Sequence, residues 1–241
     1  MKLQGKVIVV TGAASGIGRA MVKRFAADGA TVIAADVDAE RLAPVAAETG
    51  AEAMVCDVSD RASVEALLNR PRVDVLCNNA GILDALTPLA DVSDELWRRV
   101  MSINVDGPFY ATRAVLPMMI AQGGGVILNT CSAAALSGGR AGAAYTAAKH
   151  ALLGVTRSVA WYYADQNIRC NAIAPGAIST KMHTREAPHE GGMTKYAPYF
   201  ATVPPHGKAS AVADVAAFLI SDDASYVNGE ILSVDGGWNA F

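Results

Sequence analysis

Tyr145 and Lys149 stand four residues apart in Ala143-Ala144-Tyr145-Thr146-Ala147-Ala148-Lys149. On a helix that spacing puts both side chains on one face. A phenol with a pKa near ~10 is a poor acid–base catalyst at neutral pH. A neighbouring ammonium stabilises the phenolate and lowers that pKa. The flanking alanines leave room for a reactant to come close. Ser132 lies 13 residues before Tyr145, at the end of an apolar run. Its hydroxyl could hold a substrate oxygen while charge develops there. Ser137, nearer in sequence, is the alternative. The chemistry expected of this set is proton transfer at a hydroxyl or keto oxygen.

A second cluster, Thr11-Gly12-Ala13-Ala14-Ser15-Gly16-Ile17-Gly18, follows the first apolar run and opens a helical stretch. Glycines there permit a tight turn and close backbone approach to a diphosphate, and the helix N-terminus offers N–H groups and a positive dipole end. Gly12, Ser15, Gly16, Ile17 and Gly18 are therefore candidate cofactor contacts. Asp36, 18 residues after Gly18, can accept hydrogen bonds from an adenosine ribose and would repel a 2′-phosphate. With no basic residue in the glycine loop, NAD is expected over NADP, against which Arg19 stands as the one reservation. Asp38 is the better candidate for a helix N-cap.

Such residues need a frame. Short β-branched runs recur at Val7–Val10, Thr31–Ala35, Ala53–Cys56, Val73–Cys77, Gly125–Thr130, Ile168–Ile173 and Ile231–Val234. Most are apolar throughout, as parallel strands covered on both faces are. Helical stretches alternate with them at Ile17–Ala27, Ala39–Thr49, Ala62–Asn69, Ser93–Val100, Phe109–Gln122, Ala144–Ala164 and Val212–Ile220. The pattern predicts an α/β fold with a Rossmann-type doubly wound parallel sheet of about seven strands and helices on both faces, in one domain over 1–241. Residues 177–210 break the rhythm with four prolines and the pair Gly191-Gly192, which predicts an irregular substrate-binding lid.

Taken in order, Thr11–Gly18, Asp57-Val58, Asn78-Asn79-Ala80-Gly81, Asn104, Ser132, Tyr145-x-x-x-Lys149 and Pro175-Gly176 with Thr180 resemble the classical short-chain dehydrogenase/reductases. So does the tail Val234-Asp235-Gly236-Gly237-Trp238, and the resemblance spans nearly the whole chain. It implies that Asp57 and Val58 flank the adenine and that Asn79, Ala80 and Gly81 line the adenosine side. It implies that Pro175, Gly176, Ile178 and Thr180 hold the nicotinamide. Tyr145 and Lys149 would also touch the cofactor, with Lys149 on the nicotinamide ribose. Asn104 would anchor a water linking Lys149 to solvent; its alternative role is to satisfy helix backbone. The expected reaction is NAD-dependent hydride transfer between a secondary alcohol and a ketone, with Asn104, Ser132, Tyr145 and Lys149 as the catalytic set.

For substrate contacts the sequence offers Arg140, which could grip a carboxylate or be a solvated loop residue, together with Met182 and His183. Compact length and a short third crossover helix resemble the subgroup containing cytosolic 3-hydroxybutyrate dehydrogenase, so a 3-hydroxy acid is one candidate. A dinucleotide sensor without turnover is the main alternative to an enzyme. A fold-related epimerase would need more than the roughly 60 residues after Thr180.

Composition narrows the rest. The net charge of −3 favours neither nucleic acid nor an anionic membrane as partner. Hydrophobic residues make up 52% against 18% charged, which excludes a disordered chain. The stretch 144–164 is apolar nearly all round and should be covered on two sides, by the sheet and by a second copy, so a homotetramer or homodimer is expected. The four cysteines read as buried thiols, the four histidines as mainly surface residues, no metal is expected, and the cytoplasm is the default location.

Overall fold

In a computed structural model, which describes residues 2–180, 182 and 187–240, seven strands form one parallel sheet. They are β1 (Val7–Thr11), β2 (Thr31–Asp36), β3 (Glu52–Val55), β4 (Val75–Asn78), β5 (Gly125–Thr130), β6 (Ile168–Pro175) and β7 (Ile231–Val234). Their order is β3-β2-β1-β4-β5-β6-β7. The order in which strands are added reverses between β1 and β4, and the crevice there is where open α/β sheets take ligands.

The uninterrupted apolar runs are explained by two cores. Ile8, Val10, Val32, Ala34 and Cys77 face one side, against α1 (Gly16–Ala27), α2 (Ala39–Thr49) and α8 (Ala209–Ile220). Val9, Ile33, Leu76 and Ile127 face the other, against α3 (Arg61–Leu68), α5 (Gly107–Ala121) and α6 (Ala143–Tyr162). Successive residues of one strand thus enter opposite cores.

Local signals set the helix starts. Asp38 caps α2 by accepting from the Arg41 N–H, and Asp60 caps α3 through Ala62 and Ser63. Ser93 caps α4 (Asp94–Met101) through Leu96. α4 runs into a π-helical turn, Ser102–Asp106, before α5 begins at Gly107-Pro108, earlier than Phe109 as the sequence suggested. Gly107 is needed there, because a Cβ would stand 3.0 Å from the Val58 side chain. The stretch 177–210 is less irregular than its prolines predict. It contains α7 (Glu190–Tyr196), a 3₁₀ turn at Ala197–Thr202 and the first turn of α8. His189 makes α7 possible, since its Nδ1 accepts the Gly192 N–H at 3.3 Å.

All four cysteines are buried and unbridged. Among the described residues no cluster suited to a metal occurs, and no helix is long and apolar enough to cross a membrane.

Candidate active site

A cavity of about 810 Å³ opens at the carboxyl ends of the strands. At one end the β1–α1 turn lies against the end of β4. Gly12 has φ +66°, and a Cβ on it would stand 2.8 Å from the Ala80 backbone. Gly16 has φ +53°. Ser15 precedes α1 without a side-chain cap, and the first turn holds no acidic residue. The first N–H groups of α1 are therefore presented with their dipole uncompensated by side chains.

Gly12, Ser15, Gly16 and Ile17 line the cavity; Gly18 does not. A Cβ on Gly18 would collide with the Gly12 carbonyl and stand 2.6 Å from Asn79 Nδ2. Its glycine is required by helix-to-turn packing. Asp36 reaches the cavity from the end of β2. Its carboxylate accepts from the Ala14 N–H (2.9 Å) and the Asp38 N–H (3.0 Å), which fixes its direction. Asp57, Val58, Asn79, Ala80 and Gly81 also line this end. The Asn79 amide is committed to the frame: Nδ2 donates to the carbonyls of Thr11 (3.0 Å) and Gly12 (3.3 Å), and Oδ1 accepts from Thr130 (3.3 Å). Behind it, Asn78, Asn129 and Thr156 form a buried amide–hydroxyl chain that locks β4, β5 and α6 together. Asn78 belongs to the Asn78-Asn79-Ala80-Gly81 motif, but Asn129 and Thr156 lie far along the sequence and no motif announces them.

In the middle, α6 brings Tyr145 and Lys149 to the end of β5. Tyr145 and Ser132 line the cavity together. Ser137 instead meets Asn239. Lys149 Nζ donates to the Thr130 carbonyl at 2.9 Å and lies 5.5 Å from the centre of the Tyr145 ring. Both are buried. Burial pushes the Tyr145 phenol well above its ordinary value, against a smaller lowering by the Ser132 hydroxyl. Burial also lowers the Lys149 ammonium to about 8. The polypeptide by itself does not produce the depressed phenol that the spacing suggested, because desolvation is the largest influence on it.

Asn104 sits in the π turn, fully buried behind the cavity wall. Its Nδ2 donates to the carbonyls of Ile82 (3.0 Å) and Val100 (2.9 Å). Its Oδ1 has no partner among the described residues, and a Cβ on Gly81 would stand 2.7 Å from it and 3.5 Å from Lys149 Nζ. A buried acceptor of this kind marks a place for a small donor beside Lys149.

The far end of the cavity is apolar. Pro175, Gly176, Ile178 and Thr180 line its junction with the middle. Gly176 lets the tail approach, since a Cβ there would lie 2.7 Å from the Asp235 side chain. Met182, Met193, Tyr196, Phe200 and Val203 reach it from the 177–210 stretch. Arg140 also lines it but is no solvated loop residue. Its guanidinium stacks 4.2 Å from the Trp238 ring centre and donates to the Trp238 carbonyl at 3.0 Å. Trp238 was missed as a wall because nothing in the tail's sequence shows that it folds back. His206 lines the cavity too, and both it and His150 are exposed. His183 lies outside the described residues.

These features were compared with known proteins. Residues 12–239 match a family model described as enoyl-(acyl carrier protein) reductase. A 3β-hydroxysteroid dehydrogenase of Eggerthella lenta is 41% identical over 99% of this chain and 96% of its own. The chain belongs to the short-chain dehydrogenase/reductase family. The crystal structure of levodione reductase superposes with a TM-score of 0.88 at 38% identity, over 99% of each chain. A protein described as an NAD(P)-dependent gluconate 5-dehydrogenase from Beutenbergia cavernae, with NADP bound at low occupancy, gives 0.87 at 36% identity over 100% of this chain and 99% of that one. Members of this family are oxidoreductases that use NAD or NADP.

Proposed function

We propose that this member is a dehydrogenase/reductase of secondary alcohols and ketones, preferring NAD, with Tyr145, Lys149, Ser132 and Asn104 as its catalytic set. The observation that carries the proposal is the convergence of Tyr145, Lys149 and Ser132 on one cavity, with Lys149 Nζ 5.5 Å from the centre of the Tyr145 ring.

The residues present fit a dinucleotide. Gly12 and Gly16 clear its path, the uncapped N-terminus of α1 suits a diphosphate, and Asp36 suits a ribose diol. Asp57, Val58, Ala80 and Gly81 would border the adenosine, and Asn79 would hold that wall in place. Pro175, Gly176, Ile178 and Thr180 would border the nicotinamide, with Lys149 near its ribose. When bound, the nicotinamide would supply the hydride acceptor for oxidation of the carbinol carbon and the hydride donor for reduction. Tyr145 and Ser132 hold the substrate oxygen. Tyr145 takes the hydroxyl proton in oxidation and gives it back in reduction. Lys149 stabilises the phenolate so formed. Asn104 Oδ1 holds a water beside Lys149, giving the proton a way out. A sensor without turnover would not need this complete set.

Met193, Tyr196, Phe200 and Val203 act as a lid over an uncharged, apolar substrate body, as the relative named for a 3β-hydroxysteroid would require. The second reading, a 3-hydroxy acid bound by Arg140, draws on that cation's presence in the cavity. The stacking of Arg140 on Trp238 favours a bracing role instead. Trp161 and Tyr162 are exposed at the end of α6, which is otherwise largely covered. We assign them to contact between copies in a homotetramer or homodimer. Buried reduced thiols fit the cytoplasm.

The test is oxidation of a panel of neutral cyclic alcohols and 3-hydroxy acids, followed at the reduced-nicotinamide band with NAD and with NADP. Turnover with neutral alcohols and a preference for NAD that falls about tenfold in Asp36→Ala are expected. No turnover with either cofactor, or a preference unmoved by Asp36→Ala, would contradict the corresponding part.

A further inference from the structure

Asp84 follows β4, outside every motif considered above, and it is fully buried. Each of its carboxylate oxygens accepts a backbone N–H from the start of α6. Oδ1 takes Gly142 at 3.0 Å, and Oδ2 takes Tyr145 itself at 2.9 Å. The Thr87 carbonyl takes the Ala143 N–H at 3.0 Å, and Thr87 is itself folded back on the Asp84 carbonyl (2.6 Å). Gly142, the N-cap of α6, makes no side-chain cap, and a Cβ on it would stand 2.5 Å from the carboxylate. The catalytic helix is therefore capped by a residue 61 positions from Tyr145. A carboxylate at a helix N-terminus is favoured by the dipole and by charge-assisted hydrogen bonds. A local Ser or Asp cap would serve helix stability equally well. What the remote cap adds is a rigid link between the end of β4 and the Tyr145 backbone.

We propose that Asp84 is a positioning residue for Tyr145. It fixes the backbone from which the phenol enters the cavity that Ser132 also lines, and it places a negative charge near the phenol. The proposal rests on the reading of Tyr145 as the acid–base residue. The groups around the phenol are few. Lys149 comes from its own helix, Cys131 and Ser132 from the loop after β5, and Asp84 from the loop after β4. From α4 and the π turn, Val100 and Val105 pack in its apolar cluster, while Arg99 and Ser102 line the same cavity. Of these groups, Asp84 and Cys131 oppose phenolate formation. Removing the Asp84 charge should then ease ionisation of Tyr145 even as geometry is lost.

The test compares Asp84→Asn and Asp84→Ala with the wild type in the full chain with NAD. For alcohol oxidation, kcat is expected to fall on the order of tenfold to a hundredfold, more in Asp84→Ala because Asn keeps one acceptor. The Kd for NAD should stay within about twofold, and the acid limb of kcat/KM should move to lower pH. A merely structural role would lower activity without moving the limb. Phenolate absorbance, taken as the difference from Tyr145→Phe, gives the same comparison without turnover, and so separates failure of this proposal from failure of the enzymatic reading. An unmoved limb and an unmoved phenolate titration would overturn it. If neither variant folds, Gly142→Ala perturbs the same contact from the helix side and should show the same split between kcat and NAD Kd. Wild-type kcat in Gly142→Ala would also overturn the proposal.

Discussion

The two ends of the cavity are built differently. At the nucleotide end the chain works with backbone. Glycines close the turn on β4, N–H groups are left exposed at α1, and the side chains that matter, such as Asn79, hold backbone to backbone. At the substrate end the chain works with side chains drawn from far apart: Met193 and Tyr196 from α7, Arg140 from before α6, and Trp238 from the tail. A backbone site serves one ligand class and tolerates little change. A side-chain wall can be altered residue by residue while the frame persists. Tyr145 and Lys149 sit where the two meet.

Lys149→Met tests the meeting point and carries the largest expected effect. Turnover should drop on the order of 10²- to 10⁴-fold. Stability should not drop. The buried ammonium is lowered from 10.5 to about 8, so between those values the unfolded chain binds more protons than the folded one. Wild-type stability should rise with pH across that window, and the burden of the charge is fully present below it. In Lys149→Met the Tm at pH 7 should equal or exceed the wild type's, and the rise above pH 8 should vanish. Thermal melts from pH 7 to 10 check this.

A pair of glycine substitutions separates the two ends. Gly18→Ala drives a methyl into the Gly12 carbonyl. It should weaken NAD binding by about tenfold or more and lower the Tm by several degrees. Gly192→Ala drives a methyl into the Leu86 carbonyl, where α7 rests on the chain after β4. Ala85 and Leu86 both hold left-handed φ there, and the Ala85 carbonyl accepts from His189 at 2.7 Å. The expected effect is smaller: a severalfold rise in substrate KM with NAD Kd unchanged. Titration with NAD and steady-state kinetics on both variants would show whether the ends are separable. Equal effects on both ligands would erase the contrast.

The same contrast explains what could be read from sequence. Backbone requirements leave glycines at fixed spacing, so the nucleotide turn, Asp36 and the Tyr145–Lys149 face were legible, as was the sheet through its doubly buried strands. Gly18 was legible as necessary but not for its reason, which is packing against Gly12. The substrate end was poorly legible because its contacts join residues far apart in sequence. Arg140 and Trp238 are 98 positions apart. His189 starts a helix in a stretch whose prolines suggested none. Asp84 carries no motif, because its role is defined by a helix 58 residues further on.

The central claim is that Tyr145 carries the proton while its neighbours hold the rest of the site. It is tested most directly by single-turnover oxidation of an alcohol deuterated at the carbinol carbon, with NAD in excess, in the wild type and Tyr145→Phe. The wild type should place deuterium on nicotinamide C4. Tyr145→Phe should transfer it at least about a hundredfold more slowly, with NAD Kd unchanged. Transfer at the wild-type rate in Tyr145→Phe would contradict the account.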